Sequence, residues 1–333
     1  MLNKFFALII FLFVIVLALL YFLFGNQSHF SDEKVSLDDD IEVKEEPKEI
    51  KIYFVGDIML DRGVLHYIKK NDNWLWPFLD IADDLKKADL VFGNLESMIS
   101  DKGYDVGGLY SFRAPPETMQ GLVYADFDIL SVANNHSFDY TINAFTDTLK
   151  RLKENNILYA GGGFNREETH SPTIKQVDDT KVGFLAYTNV GSPAWQATED
   201  RAGIAWIDDS SLDTLKKDIE KSKEKADILV VSFHFGYEYH DKPNENQKLL
   251  SNTALKSGAD IVVGHHPHVV QPLEINDDGV IAYSLGNFIF DQYFSEETMR
   301  GAILEVIIKD KEVTSARLKE TRLNEEYQVK VIE

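Results

Sequence analysis

The sequence of 333 residues contains no cysteine. This absence excludes a disulfide-stabilised scaffold, a thiolate zinc site, a cysteine nucleophile and a lipoprotein attachment cysteine. Positive charge is also scarce, because 34 Lys and Arg residues face 55 Asp and Glu residues, for a net charge of −21. A chain this acidic repels phosphate, so nucleic acid is not an expected partner. The hydrophobic content of 44% is nevertheless that of a globular protein.

One long apolar run lies near the N-terminus, at Phe5–Phe24 (FFALIIFLFVIVLALLYFLF). A helix of this length, at about 1.5 Å rise per residue, spans a hydrocarbon core of roughly 30 Å. A cleaved signal peptide is the alternative, but its apolar region is usually about 7–15 residues long and ends in a small-x-small site. The residues after Phe24 lack that pattern. We therefore expect an uncleaved transmembrane anchor.

The distribution of charge predicts the orientation of that anchor. Lys4 precedes it, and residues 31–50 carry nine acidic residues against three lysines. The positive-inside rule then places residues 1–4 in the cytoplasm and the remaining chain outside the cell, as a single-pass protein of the cell membrane. We expect residues 25–49 to form an acidic, solvated stalk and residues 50–333 to form one extracellular domain.

Short apolar segments alternate with amphipathic ones from residue 50 onward. The expected strands are Ile50–Val55, Leu90–Phe92, Phe127–Val132, Ile157–Tyr159, Lys181–Thr188, Ile228–Phe233, Ile261–Val263 and Val280–Ser284. The expected helices are Pro77–Lys87, Pro115–Tyr124, Ile142–Asn155, Ser211–Lys225 and Asn244–Ser257. This alternation predicts an α/β domain with a largely buried sheet.

Polar residues follow five of the expected strands directly. They are Asp57; Asn94 and Glu96; Asn134, Asn135 and His136; His234; and His265, His266 and His268. In an open α/β sheet the carboxyl ends of the strands share one edge, where ligands bind. Each residue alone has an ordinary structural explanation, but together they predict a cleft of carboxylates, amides and imidazoles. Imidazole and carboxylate ligands favour zinc, manganese or iron.

The His266-Pro267-His268 segment is expected to direct two imidazoles to neighbouring positions. Alternate side chains of an extended segment share a face, and a proline biases the preceding residue away from helix. The alternative interpretation of this histidine cluster is a hydrogen-bonded turn.

Seven motifs, in this order, resemble the poly-gamma-glutamate capsule synthesis family, the CapA-like proteins. They are GDIML (56–60), GNLES (93–97), FRAPPE (112–117), ANNHSFDY (133–140), HFGYEY (234–239), GHHPHVVQP (264–272) and YSLGNFIFD (283–291). The resemblance covers residues 50 to about 310. That family is similar to the calcineurin-like metallophosphoesterases. The resemblance therefore implies a sandwich of two central sheets flanked by helices, behind the N-terminal transmembrane helix.

The resemblance also implies a set of ligands for one or two divalent metal ions, manganese, zinc or iron. Matched position by position, and with His265 taken as an insertion, the expected ligands are Asp57, Glu96, Asn135, His234, His266 and His268. Two positions depart from the metallophosphoesterase pattern: Met59 stands where a histidine is expected, and Asn94 where a bridging aspartate is expected. Glu96 is the possible substitute for that aspartate.

If the site is hydrolase-like, the metal would polarise a phosphoryl or acyl oxygen. His136 would then protonate the leaving group or stabilise developing charge, and Asp139 would orient His136. Arg62 and Arg113 could contact an anionic substrate, although a surface ion pair is an equally good interpretation of Arg113.

Three functions stay open at this point. The first is a membrane-anchored, metal-dependent hydrolase-like subunit of capsular poly-gamma-glutamate synthesis or export, acting on a phosphoester or on amide bonds of the polymer. The second is a non-catalytic subunit that guides the polymer or holds other capsule synthase subunits together, with a structural metal. The third is an independent extracellular metallophosphatase.

Overall fold

The computed structural model describes residues 14–21 and 48–332. Residues 14–21 are helical (α1). Within these described ranges, no helix is both long enough and apolar enough to cross a membrane. The remainder of the expected anchor Phe5–Phe24 and most of the expected stalk 25–49 lie outside the described residues, so both stay predictions. The described residues from 48 onward belong to one compact unit.

The described residues of this unit form eighteen strands and seven α-helices. The strands are β1 (Ile50–Ile58), β2 (Leu90–Leu95), β3 (Met98–Ile99), β4 (Arg113–Ala114), β5 (Ile129–Ser131), β6 (Leu158–Ala160), β7 (Gly162–Gly163), β8 (Thr173–Val177), β9 (Thr180–Thr188), β10 (Gly203–Ile204), β11 (Ile228–His234), β12 (Ile261–His265), β13 (Leu273–Asn276), β14 (Gly279–Ala282), β15 (Asn287–Ile289), β16 (Arg300–Lys309), β17 (Glu312–Leu323) and β18 (Val329–Val331). The helices are α2 (Arg62–Lys70), α3 (Ala82–Leu85), α4 (Met119–Tyr124), α5 (Thr141–Glu154), α6 (Arg166–Thr169), α7 (Leu212–Lys223) and α8 (Glu245–Lys256).

Two mixed sheets organise the domain. The first has the strand order β18-β17-β16-β1-β2-β5-β6, with β15 also paired to β1. Its strands β1, β2, β5 and β6 run parallel, whereas β16, β17 and β18 add an antiparallel extension. The second sheet has the order β13-β14-β12-β11-β9-β8, with parallel central strands and antiparallel edges. Because the central strands of each sheet are parallel, their carboxyl ends lie along the same edge of that sheet.

The alternation of side chains along the second sheet shows how the layers pack. Phe184 and Val230 join the core that contains the side chains of the first sheet. Phe184 stacks on Phe92 of β2, with 5.4 Å between the ring centroids. The neighbouring residues Leu185 and Val231 face the opposite way and pack with apolar residues of α7 and α8. The domain is therefore a two-sheet sandwich with helices on its outside, in agreement with the expected α/β class.

Local sequence signals explain where several elements begin and end. Helix α8 begins with a capping box. The Asn244 side chain accepts from the Gln247 backbone N–H, and the Gln247 side chain accepts from the Asn244 backbone N–H. The helix expected at Pro77–Lys87 is wrong in part. A 3-10 turn at Trp76–Phe78 and the short α3 replace it, because Ile81 leaves helical geometry at φ −120° and ψ −20°.

Candidate metal centre

Three side chains of the first sheet meet because their strands are aligned. Asp57 near the end of β1 pairs in register with Asn94 of β2 on one side and with Asn287 of β15 on the other. All three residues are buried. The Asn94 amide donates to Asp57 Oδ1 at 2.9 Å. Parallel pairing thus places a carboxylate between two amides at the strand ends.

The second sheet supplies the imidazoles. His234 at the end of β11 pairs in register with His265 at the end of β12, and both are buried. His266 and His268 follow in a turn, with positive φ angles of 95° and 59°. The expectation of an extended segment here is therefore wrong, although the two rings are neighbours at 5.9 Å between centroids. Positive φ is costly for residues other than glycine and concentrates at functional sites.

Three nitrogen atoms lie close to the Asp57 carboxylate. His265 Nδ1 and His268 Nδ1 each lie 3.4 Å from one of its oxygens, and the His266 backbone N–H donates to Oδ2 at 3.2 Å. Burial alone would raise the pKa of this carboxyl. The interactions with His265 and His268 outweigh burial and hold the pKa of Asp57 well below its ordinary value. Asp57 is thus held as a carboxylate.

Glu96 lies in the centre of the cluster. Its Oε1 is buried without a hydrogen-bond partner among the described residues. This oxygen lies 3.7 Å from His268 Nε2, 3.8 Å from His136 Nε2 and 4.0 Å from His234 Nε2. Burial, and then the charge of Asp57, raise the pKa of Glu96 well above its ordinary value. Such a group is costly in the ionised state unless a cation compensates it.

Two imidazoles are held neutral. Burial, followed by the proximity of His266, holds the pKa of His234 well below its ordinary value. Burial, followed by His268, lowers the pKa of His266 to about 3. His234 Nε2 lies 2.7 Å from Asn135 Oδ1. Neutral imidazole is the form that binds metals, so the environment prepares both rings for that role.

The residues present fit a divalent metal. Three overlapping groups bring ligand atoms within 4.8 Å of one another: Asp57, Glu96 and His268; Glu96, His234 and His266; and Glu238, His266 and His268. The unpartnered atoms Glu96 Oε1 and His266 Nδ1 leave donor capacity for an ion. Met59, in contrast, is buried and its sulfur accepts from the Asp61 backbone N–H at 3.1 Å. The donors are imidazole nitrogens and carboxylate or amide oxygens, which suit zinc, manganese or iron.

The expected general acid and its partner are adjacent. His136 Nδ1 lies 2.7 Å from Asp139 Oδ2, and that same oxygen accepts from the Phe112 backbone N–H at 2.9 Å. Because a carboxylate only accepts, His136 carries its proton on Nδ1 in this pair. Its other nitrogen, Nε2, then faces Glu96. Asp139 therefore holds the His136 ring in this structure.

The two expected arginines occupy different environments. Arg62 pairs with Asp291, its Nε donating to Oδ2 at 3.0 Å, and its guanidinium lies 5.0 Å from the Phe112 ring centroid. Arg113 Nη1 donates to the Lys102 carbonyl at 2.9 Å, and its guanidinium lies over the Tyr140 ring at 4.2 Å. Arg113 therefore stabilises a loop in this structure, whereas Arg62 lines the cleft beside the cluster.

That cleft has a volume of about 320 Å³ and opens onto the cluster. Its wall combines aromatic rings with a few polar groups: Arg62, Tyr110, Phe112, His136, Glu238, Tyr239, His268, Phe290, Asp291, Gln292, Tyr293 and Phe294. A mainly apolar cleft with a few convergent polar groups is typical of a ligand-binding site.

Sequence reasoning left two members of the cluster without a role. His265, treated as an insertion, is the last residue of β12 and contacts Asp57. Glu238 lies within a motif that carried the resemblance, but only the fold brings it beside His266 and His268. The register of β11 against β12 is the signal for His265. No local pattern identifies Glu238.

Comparison with known proteins shows which family this chain resembles. The family model described as "Bacterial capsule synthesis protein PGA_cap" matches residues 51–292. The capsule biosynthesis protein CapA of Bacillus anthracis is 33% identical over 80% of this chain and 65% of its own length, and thus just under two thirds of that protein is covered. The PGA biosynthesis protein CapA of Bacillus subtilis (strain 168) is 31% identical over 77% of this chain and 67% of its own length.

Two crystal structures share the fold at low sequence identity. A hypothetical protein from Thermus thermophilus aligns over 81% of this chain and 98% of its own length, at a TM-score of 0.51 and 17% identity. A novel phosphatase of Mycoplasma pneumoniae aligns over 82% of this chain and 94% of its own length, at a TM-score of 0.51 and 13% identity. The match to the family model over most of the domain, with the sequence motifs placed around one buried cluster, shows that this chain belongs to the CapA-like bacterial capsule synthesis (PGA_cap) family.

Proposed function

We propose that this protein is a metal-dependent, hydrolase-like subunit of capsular poly-gamma-glutamate synthesis or export. The observation that carries the proposal is the buried cluster of Asp57, Glu96, His234, His266 and His268 at the strand ends of both sheets. A fold gains nothing in stability from buried carboxylates and imidazoles with unpartnered atoms, so such a cluster favours a functional explanation.

The residues that would hold the metal are those of the three overlapping groups, with Asn135 beside them. When bound, a divalent ion supplies Lewis-acid polarisation of a phosphoryl or carbonyl oxygen. The chain itself supplies two carboxylates close to neutral imidazoles and excludes bulk water from most of the cluster, since these ligands are buried. Electrostatic interactions in such a water-poor site are stronger than at the surface.

His136 is the proposed proton donor to the leaving group. Because its Nδ1 proton is engaged by Asp139, the donating form is the imidazolium, which carries a second proton on Nε2. Its Nδ1 is held by Asp139, and its Nε2 lies at the boundary between the cluster and the cleft. Asp139 acts as a positioning residue, because its Oδ2 contacts the His136 ring and is itself held by the Phe112 backbone N–H. Arg62 lines the same cleft and would contact an anionic group of the substrate.

The proposed location is the outer face of the cell membrane, with the domain tethered by a single span. Support comes from the apolar run Phe5–Phe24, the acidic segment that follows it and the lack of cysteine. The family supports a role in the polymer pathway. Poly-gamma-glutamate or a phosphoester is the proposed substrate, and other synthase subunits are the proposed partners. Residues 51–333 have a net charge of −16, so an acidic polymer needs a local, metal-centred contact.

The test begins with the purified full chain. We expect bound manganese, zinc or iron by elemental analysis, and hydrolysis of either simple phosphoesters or gamma-glutamyl amide bonds. The double change His266→Ala with His268→Ala should remove both the metal and the hydrolysis. The matched control is His66→Ala, since His66 is exposed on α2. A wild-type protein that binds no added divalent metal would contradict the proposal.

A non-catalytic subunit with a structural metal is the second candidate. The observation that favours it is the departure at two metal positions, where buried Met59 and Asn94 replace expected ligands. The two functions separate in capsule-producing cells. Normal capsule output from the His266→Ala, His268→Ala variant, with metal present in the wild type, would favour the non-catalytic role.

A further inference from the structure

The loop between β11 and α8 brings one exposed carboxylate to the open side of the cluster. Glu238 lines the cleft, and it can place an oxygen within 4.8 Å of ligand nitrogens on both His266 and His268. The two histidines are buried, whereas Glu238 is exposed. The arrangement joins a solvent-accessible oxygen donor to two internal nitrogen donors.

We propose that Glu238 is a metal ligand, which together with His266 and His268 holds a divalent cation at the mouth of the site. This inference rests on the proposed metal centre and adds a residue to it. Two buried carboxylates, Asp57 and Glu96, balance the charge of one divalent ion but only half the charge of two. A third carboxylate offsets more of that charge and adds an oxygen donor to an imidazole-rich group.

The backbone of this loop is tied to the histidine turn on both sides of Glu238. The Phe235 N–H donates to the His265 carbonyl at 3.1 Å, and the Tyr239 N–H donates to the Pro267 carbonyl at 2.8 Å. Tyr239 itself has a positive φ of 64°, an uncommon conformation that these contacts must hold in place. The backbone at Glu238 is therefore held beside the backbone of His266 and His268.

Two buried glutamine side chains connect this loop to helix α8 through hydrogen bonds. Gln247 Nε2 donates to Gln271 Oε1 at 2.8 Å, and Gln271 Nε2 donates to the His240 carbonyl at 2.8 Å. Both glutamines are buried. Gly236 has a φ of +94°, and a Cβ at this position would lie 2.6 Å from the Gln247 side chain, so this backbone conformation requires glycine. These contacts connect α8 to the loop and resist its withdrawal from the cluster.

A second observation points to a ligand at the same place. His266 Nδ1 is buried and has no hydrogen-bond partner among the described residues. Leaving a buried imidazole nitrogen unpartnered is destabilising. An ion shared with Glu238 would satisfy the ring. Met59 and Asn94 are engaged elsewhere, because the Met59 sulfur accepts from the Asp61 backbone N–H and Asn94 Oδ1 accepts from Asn134 Nδ2 at 3.2 Å.

The test is a titration of the metal-stripped full chain with Mn²⁺, followed by calorimetry and by the electron paramagnetic resonance of the bound ion. The test variant is Glu238→Gln, which keeps the shape of the side chain but removes its charge. Glu220→Gln is the matched control, because Glu220 is an exposed acid on α7. Glu238→Ala is a second variant, and circular dichroism establishes that each protein is folded.

We expect Glu238→Gln and Glu238→Ala to bind Mn²⁺ at least about 10-fold more weakly than the wild type, or to lose one equivalent of ion. The reason is that even groups that merely support a ligand change metal affinity by about 10–100-fold. The resonance of any remaining ion should change, and Glu220→Gln should match the wild type. Unchanged affinity, stoichiometry and resonance in folded Glu238 variants would overturn the inference but leave the proposed metal centre intact. A wild type that binds no Mn²⁺ at all would overturn both.

Discussion

Asp147 on helix α5 is a buried anion with three cationic or hydroxyl donors, and we predict that Asp147→Asn destabilises the protein. Its side chain is 6% exposed. It accepts from Ser100 Oγ at 2.7 Å, from Lys102 Nζ at 2.5 Å and from Arg151 Nε at 2.8 Å. These contacts tie α5 to the segment after β3, which continues into the loop that carries cleft residues Tyr110 and Phe112.

The expected loss in free energy of unfolding is about 1–3 kcal/mol at pH 7. This is the usual cost of removing one partner from a buried, charge-assisted hydrogen-bond group. Asparagine retains one acceptor oxygen, and Arg151 keeps its second partner Asp101 at 3.0 Å, so the loss should not exceed that range. The matched control is Asp213→Asn, because Asp213 is 87% exposed and forms an exposed ion pair with Lys216 at 3.6 Å. An exposed pair of this kind contributes about 0.2–1 kcal/mol.

The effect should also depend on pH, with a defined sign. Burial alone would raise the pKa of Asp147, but the bonds from Lys102, Ser100 and Arg151 outweigh it and lower that pKa. A carboxyl with a lowered folded-state pKa stabilises the protein above its unfolded pKa of about 3.9, and this contribution is lost as the pH falls further. Denaturant titrations of wild type and variant at pH 7 and pH 3.5 measure both quantities. A loss below about 0.5 kcal/mol at pH 7, or a difference that grows towards low pH, would refute the reasoning.

Three further predictions concern the core, the chemistry and the topology. Phe92→Ala should lower the free energy of unfolding by about 3–5 kcal/mol in the same titrations, because Phe92 is fully buried between the sheets. Phe294→Ala, at a residue that is 63% exposed, should change it by less than about 0.5 kcal/mol, and equal losses would contradict this account of the core. His136→Gln should slow any hydrolysis by about 10²–10⁴-fold at unchanged metal content, and loss of the metal instead would assign His136 to the ligands. Protease added outside intact cells without a cell-wall barrier should remove the domain, and complete protection would reverse the proposed orientation.

The class of the fold and most of its strands could be predicted from local sequence. Ile228–Phe233 and Lys181–Thr188 are apolar runs bounded by polar residues, and both are strands in the structure. Parallel strands buried on both faces leave this signal because nearly every residue in them is apolar. The helix expected at Pro77–Lys87 failed because a proline-started turn and Ile81 interrupt it, which the apolar pattern does not reveal.

The candidate site was predictable only where its residues follow strands. Asp57, His234 and the histidines after β12 were identified because each comes directly after an apolar run. Glu238 lies in an exposed loop, so its proximity to His266 depends on the hydrogen bonds between that loop and the histidine turn. The backbone geometry of the turn was also not predictable, because tertiary contacts hold His266 and His268 at positive φ against their local preference.

The sequence by itself determined the α/β class, the exclusion of thiolate chemistry and the types of donor available, because composition and periodicity are local properties. The family also followed from motifs in their order along the chain. Only the tertiary structure decided which donors meet. Strand register sets Asp57 beside Asn94, and the packing of two sheets brings Glu96 to within 4.0 Å of His234 and His268. Such distances join residues far apart in the chain, and they are fixed by pairing and packing rather than by any short stretch of sequence.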